Sequence, residues 1–188
     1  MPDIFRANDP DRPMRGLHRG KPGIAERFER DQDTDEVLRS WSLWLVPGER
    51  AVRTGEENLF YPGGKRRAER HWDKGAKVGT WQSWFDNGER ESEIEFAGDG
   101  VEAKMRWFHR NAALAAQGSG IQGVRTGEWS YWHANGQLRQ MGKFIAGLKE
   151  GPWSFWSESG KLEARGTYLA DRRVGDWLLA GRDEMPVD

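Results

Sequence analysis

The sequence predicts an all-β protein, an elongated single-sheet meander of tandem 24-residue β-hairpins, and three observations lead there. The first is composition: 11 Trp and 24 Gly in 188 residues, where glycine usually contributes about 7%. Few aliphatic side chains with many indoles and glycines suit a repeated, tightly turned sheet better than a globule with one thick core. The second is a period of 24 residues. Gly79, Gly127, Gly151 and Gly175 are each followed two residues later by tryptophan, Trp81, Trp129, Trp153 and Trp177. Further columns at the same step are Phe60, Trp84, Phe108, Trp132 and Trp156, then Gly64, Gly88, Ala112, Gly136 and Gly160, then Gly118, Gly142 and Gly166. The third is turn chemistry: Asn87, Asn111 and Asn135 stand just before the turn column, and Asn-Gly favours a hairpin connection because Gly accepts a positive φ and Asn tolerates one.

Taken in order, residues 1–36 lie outside the repeat, carry many charges and four prolines, and read as a mobile arm. Within them Ile24, Ala25 and Phe28 have the spacing of one amphipathic helical turn. Residues 39–54 form a shortened first unit, in which Trp41, Trp44 and Gly48 repeat the spacing of Trp81, Trp84 and Gly88. Units 55–78 and 79–102 follow. Unit 103–126 is degenerate: Met105 replaces tryptophan, Ala112 replaces glycine, and Gly120 stands where an aromatic belongs. Units 127–150 and 151–174 are the most regular, 175–182 is a partial unit, and 183–188 reads as a frayed tail. A two-residue type I′ turn at Asn135-Gly136 would place Trp129 opposite Gly142 and His133 opposite Leu138, with Trp153 likewise opposite Gly166. An indole lying over a glycine covers backbone that the glycine leaves bare. Trp132, three residues after Trp129, is expected on the other face unless a bulge intervenes.

The pattern G-x-W-x-x-W-x-x-N-G-x-L resembles the variant MORN-repeat proteins of bacteria, the YwqK-type antitoxin family. Residues 127–177 are similar to that family's hairpin pattern, as are the opening Pro47-Gly48 to Thr54-Gly55 and the turn Tyr61-Pro62-Gly63-Gly64. The resemblance covers 39–182. It implies a non-enzymatic, protein-binding role: neutralising a cognate toxin, typically a nucleic-acid-modifying enzyme. The shared positions are structural, so the resemblance transfers no binding residue. The alternative it leaves open is a MORN-type scaffold or a module associated with membrane lipid.

Chemistry in the sequence is sparse. The absence of Cys excludes disulfides, thiolate zinc sites and a cysteine nucleophile. A formal net charge of -1 proposes no direct nucleic-acid partner. No serine stands in a nucleophile-elbow context, and the glycine-rich stretches Gly98-Asp99-Gly100 and Gly118-Ser119-Gly120 open no helix, so neither makes a phosphate loop. His109 and His133 share a column but lie about 9.6 Å apart across two strands, too far to share zinc. The expectation is therefore no enzyme activity, no metal and no cofactor. With no signal-peptide-like apolar stretch at the N-terminus, a cytoplasmic location is expected.

Charge patterning is the sharper feature. Residues 79–102 hold seven acids and one base, whereas 103–126 hold four bases and no acid. Glu89, Glu91, Glu93 and Glu95 alternate, as if projecting from one face of one strand. Such a strip either is a solvated face neutralised by Lys104, Arg106 and Arg110 or meets the basic cleft of a protein partner. The cluster Lys65, Arg66, Arg67 and Arg70 is a weaker candidate for contact with anionic lipid or an acidic partner. The columns Trp81, Trp84, Trp129, Trp132, Trp153, Trp156 and Trp177, with Gly136, Gly142, Gly160 and Gly166, are read as structural.

Overall fold

The computed structural model describes residues 21–98 and 100–180, and the backbone of 182–186. Fourteen strands form one open antiparallel sheet in sequence order, each hydrogen-bonded to the next. They are β1 (Gly23–Arg30), β2 (Val37–Leu45), β3 (Val52–Phe60), β4 (Arg66–Asp73), β5 (Ala76–Trp84), β6 (Arg90–Phe96) and β7 (Glu102–Phe108), followed by β8 (Leu114–Ile121), β9 (Val124–Trp132), β10 (Leu138–Ile145), β11 (Leu148–Trp156), β12 (Leu162–Leu169), β13 (Arg172–Leu179) and β14 (Arg182–Pro186). At about 4.8 Å per step the sheet is roughly 60 Å across. No helix occurs among the described residues.

The ends of the repeat region differ from the sequence expectation. Residues 23–30 are not arm but β1, paired with β2 from Gly23↔Leu45 to Arg30↔Val37. The triplet Ile24, Ala25, Phe28 makes no helical turn. Ala25 is buried while Ile24 and Phe28 are exposed, the two-residue alternation of a strand lying against one neighbour. Residues 1–20 of the expected arm lie outside the described residues. At the other end, 183–186 belong to β14, which pairs Asp176↔Pro186 and Trp177↔Met185. The shortened first unit, 39–54, covers most of β2 and only the first residues of β3, which pairs with β2 on one side and β4 on the other as every inner strand pairs with its two neighbours.

Five-residue connections at 61–65, 85–89, 109–113, 133–137 and 157–161 line one edge of the sheet. At Asn135-Gly136 the expected type I′ turn is absent: Gly136 has φ 83°, and Asn135 is not in the positive-φ region. Gly136 N donates to His133 O at 2.9 Å and His133 N to Gln137 O at 2.8 Å, a three-residue loop ending in one left-handed glycine. The added residue shifts the register, so Leu138 pairs with Trp132 and not with His133, although Gly142 still pairs with Trp129. Asn is retained there for its side chain. Asn135 Oδ1 accepts from Gln137 N at 3.0 Å, and Nδ2 donates to Glu158 O in the next turn at 2.8 Å. Asn87 and Asn111 make the same two bonds, giving a polar ladder along the edge that ties each hairpin to its successor.

Ala112 takes the left-handed place in the turn 109–113 with φ 63°, where a Cβ is strained. Ala112→Gly should therefore raise stability, by about 0.5 to 1 kcal/mol in a denaturant melt, an opposite sign to most glycine substitutions.

Burial is one-sided. The core cluster comprises Ala103, Met105, Ala116, Trp129, Tyr131, Phe144, Trp153, Tyr168 and Trp177. The pairings place these on a single face, for example Gly142 opposite both Trp129 and Trp153. This is the aromatic face. Its opposite carries Glu93, Glu95, Lys104, Arg106, Gln117 and Ser130, as the cross-strand pairs show.

Candidate functional site: a cation-topped aromatic face

Each regular hairpin lays its indole over the glycine of the hairpin before it. A Cβ built on Gly142 would stand 2.3 Å from Trp153 Cδ2, and Gly118 and Gly166 meet Trp129 and Trp177 in the same way. The sequence expectation thus had the right kind of contact with the wrong partner: Trp153, not Trp129, covers Gly142. The indole nitrogens follow the same lean, Trp129 Nε1 donating to Ser119 O at 3.0 Å and Trp153 Nε1 to Lys143 O at 3.2 Å. Phe144 and Tyr168 bridge successive indoles edge-to-face: Phe144–Trp153 centroids are 5.1 Å apart at 81°, and Tyr168–Trp177 5.1 Å at 87°. Such contacts are each worth about 0.5 to 1.5 kcal/mol beyond area burial. Trp84, Trp132 and Trp156 are half-buried near the long-turn edge, and the carbonyls of these three accept bonds from Tyr61 Oη, His109 Nε2 and His133 Nε2. A carbonyl only accepts, so both imidazoles carry a proton on Nε2, and each histidine serves its own rung.

The degenerate unit is a repacked locus. Ile94 takes the glycine place and pairs with Met105, which in turn pairs with Gly118. An indole at 105 would collide with the Ile94 side chain. Met105 instead reaches Gly120, where an added Cβ would stand 2.7 Å from its Cε, filling the space left by the missing aromatic.

Above the rings runs a column that composition hides: Arg53, Lys77, Val101, Arg125, Lys149 and Arg173, one position per 24 residues. Five of the six are cations, each over aromatic rings. Arg53 lies 5.4 Å from Trp72, Lys77 5.3 Å from Trp81 and Arg173 4.3 Å from Trp177. Lys149 sits over three rings, Trp153, Phe155 and Tyr168, at 4.5, 5.1 and 5.0 Å. Arg125 lies 5.0 Å from Phe144 and donates to Tyr131 Oη at 2.8 Å. Burial raises the Tyr131 phenol above its ordinary value, and the charge of Arg125 opposes that rise.

At the N-terminal end the tryptophan column holds Glu57, whose side chain is 0% exposed. It pairs with Trp41 on one side and Arg70 on the other, with no glycine beneath. Three guanidiniums and an indole converge on it: Arg39 Nε at 2.7 Å, Arg53 Nη1 at 2.7 Å from both oxygens, Trp72 Nε1 at 3.0 Å and Arg70 Nη1 at 3.8 Å. Burial by itself would raise the carboxyl pKa, but the bonds from Arg39 and Trp72 with the charges of Arg39 and Arg53 outweigh it and hold it below its ordinary value. Burial lowers the Arg70 pKa, opposed by Glu57 and reinforced by Arg39 and Arg53. Glu29 adds a second carboxylate, 4.0 Å from Arg39 Nη1, so two acids face three bases in this cluster.

The four glutamates of the acidic strip do not share a face. Glu89 lies in the turn 85–89, its amide bonded to Asn87 Oδ1 at 3.1 Å. Glu91 is the extra residue of a bulge, since Ser92 pairs with Ser83 and Arg90 with Trp84. Its carboxylate accepts from Ser83 Oγ at 3.0 Å. Only Glu93 and Glu95 project from the opposite face, over a shallow trough of about 460 Å³ shared with Lys104, Arg106, Gln117 and Ser130. Glu93 is ion-paired to both Arg90 and Arg106, and Glu95 stands opposite Lys104. Lys65, Arg66, Arg67 and Arg70 are also divided. Arg66 pairs with Glu69, Arg70 turns to Glu57, and Lys65 donates to Asp86 O at 3.1 Å. Arg67 is a bulge residue between the pairs Phe60↔Arg66 and Leu59↔Ala68.

Glu56, Glu69 and His71 offer ligand atoms all within 4.8 Å of one another. Glu69 is already committed to Arg66, and to His71 Nε2 at 3.2 Å. The cation column and Glu57 are the features the sequence reading missed. Both were countable: Glu57 is 24 residues before Trp81, and cations stand four residues before five of the six positions of the tryptophan column.

Residues 77–97, 125–146 and 149–170 match the MORN repeat variant, so the chain carries MORN-type hairpin repeats. The matched segments correspond to β5–β6, β9–β10 and β11–β12, and they pass over the repacked unit. No curated protein matches the chain. Similar solved structures include a mutant of S. aureus TarM in complex with fondaparinux, alpha-GlcNAc-glycerol and UDP, with 12% identity, TM-score 0.28, and 57% of this chain and 19% of that one covered. Another is a crystal structure of TarM, with 12% identity, TM-score 0.28, and 58% and 20% covered. The chain spans about a fifth of the length of these structures, and similarity at this level bears on neither fold nor function.

Proposed function

We propose that the protein is a non-enzymatic, cytoplasmic protein-binding repeat module of the antitoxin or immunity type, which neutralises a cognate toxin. The observation that carries the protein-binding reading is the single fourteen-stranded sheet itself, a long, regular surface with side chains repeated at fixed intervals, suited to covering another protein. MORN-type repeats at 77–97, 125–146 and 149–170 support it, and the resemblance of 127–177 to the antitoxin family supports the finer role. A toxin that handles nucleic acid presents a basic cleft, and the acids of the opposite-face trough are Glu95, Glu128 and Glu93, the last already ion-paired to Arg90 and Arg106. The rival, a scaffold or lipid-associated module, is favoured by the cations on the aromatic face.

Affinity purification of the tagged protein from its native cell should recover one stoichiometric protein, whose expression alone arrests growth and whose coexpression with this chain restores it. Sedimentation with anionic liposomes, with no protein recovered, would replace this reading by the lipid-associated one.

A further inference from the structure

We infer that the cation column of the aromatic face docks an acidic helical segment of the protein partner, lying across the strands along Arg125, Lys149 and Arg173. The inference rests on the protein-binding reading and adds the partner's chemistry and orientation. These three cations form no ion pair with a carboxylate among the described residues; the ion pairs there all lie between residues 29 and 110. They are held instead over rings, at 5.7 Å for Arg125 on Trp129, 4.5 Å for Lys149 on Trp153 and 4.3 Å for Arg173 on Trp177. A cation placed that way has a fixed position and an uncompensated charge, so an arriving carboxylate gains attraction without ordering a long side chain.

Spacing selects the occupant. One repeat is two strands, about 9.6 Å. Carboxylates seven residues apart on a helix lie about 10.5 Å apart on one face, within about 1 Å of the repeat, a mismatch that the partner's own glutamate side chains take up over three positions. An extended peptide places same-face residues about 6.7 Å apart and falls out of step at once. The same column continues at Lys77 and Arg53, where three arginines meet the two carboxylates of Glu57 and Glu29, and prolongs the cationic row toward β3.

The test uses the full chain and a labelled helical peptide with one glutamate every seventh residue, beside a peptide of equal composition whose glutamates are spread around the helix. The heptad peptide should bind, weaken steeply as NaCl rises from about 50 to about 500 mM, and lose about tenfold or more in affinity to the combined variant Arg125→Gln, Lys149→Gln, Arg173→Gln. Lys104→Gln with Arg106→Gln, on the opposite face, should leave binding unchanged. If the triple variant melts early, Arg125→Lys with Arg173→Lys, which keeps both charges, should bind within about threefold of the parent, and a tenfold loss there would count against the inference. Equal binding of both peptides, or of the parent and a folded triple variant, overturns it, as does binding of phosphatidylserine vesicles in place of either peptide. A native partner that still binds the triple variant would sink this surface while leaving the protein-binding reading intact. Vesicle binding with no protein partner would sink both.

Discussion

Glu57→Gln lowers the unfolding free energy at pH 7 by about 2 to 3 kcal/mol, because it leaves Arg39, Arg53 and Arg70 facing one another without the charge that gathers them. Breaking a buried ion pair from one side typically costs about 3 to 5 kcal/mol. The lower figure applies because the guanidiniums are a quarter to a third exposed, at 25%, 32% and 35%, and water hydrates them once the carboxylate is gone. Glutamine keeps an acceptor for the Trp72 indole but points an amide donor at donors. The effect is also pH-dependent, with a definite sign. The folded-state pKa of Glu57 lies below its ordinary value of 4.5, so its contribution is complete above that value and is lost as pH falls through the lowered folded-state pKa. The gap between parent and variant should be constant from pH 7 to about 5 and close progressively in acid. Denaturant melts at a series of pH values measure it, since the other carboxylates titrate in both proteins and cancel. Hydrogen exchange should show lost protection concentrated in β2 to β5, because hairpin neighbours contribute semi-independently. A variant as stable as the parent at pH 7 would mean that the arginines do not depend on this acid.

Gly142→Ala costs about 3 kcal/mol, and Gly142→Val more. The new Cβ would stand 2.3 to 2.6 Å from Trp153 Cδ2, Cε2 and Cγ, and the indole has nowhere to go. It is 0% exposed, abutted by Phe144, Phe155 and Tyr168 and overlain by Lys149. Overpacking usually costs about 1 to 3 kcal/mol, and a rigid, fully buried ring puts this site at the top of that range. Gly136→Ala separates space from backbone conformation: nothing lies within 4 Å of its Cβ, but φ is 83°, so about 1 kcal/mol is expected. The chain already contains the remedy, since Ile94 at the glycine place coexists with Met105 at the tryptophan place. Gly142→Ala combined with Trp153→Met should accordingly be more stable than Gly142→Ala alone, a non-additivity expected of residues in contact. Should Gly142→Ala melt within about 0.5 kcal/mol of the parent, the indole does not lie on this glycine.

How far the sequence could be read depended on whether a feature repeats. The strands of residues 52–179 were legible because the same side chains return every 24 residues, and a hairpin is a local object whose turn signal and partner lie within one unit. β1 was not legible. An edge strand buries one face against one neighbour, and Ala25 is its only buried hydrophobic residue, too little to stand out beside a run of charges. The Asn column marked three of the five long turns, 85–89, 109–113 and 133–137, yet the turn type was misread because Asn135 acts through its side chain on Glu158 in the following hairpin, a bond invisible within one unit. The acidic alternation failed for a related reason. A single bulge at Glu91 is enough to turn one carboxylate away from the face of its neighbours.

The sequence by itself determined that this is a sheet of 24-residue hairpins, where the hairpins turn, and that glycine and tryptophan meet across strands. Periodicity and turn chemistry are local properties that survive without knowledge of the rest of the chain. Only the tertiary structure decided which of two flanking indoles covers Gly142, that Met105 and Ile94 compensate each other, and that one acid in the tryptophan column gathers arginines from β2, β3 and β4. It also decided which charges remain without an opposite. Glu93 finds Arg106 on the next strand, while Arg125, Lys149 and Arg173 find rings. The physical reason is common to all of these. In an antiparallel sheet every side chain has neighbours on two flanking strands, and bulges and side-chain lean select among them, so charge and burial at a position follow from the assembled ladder and not from its own repeat.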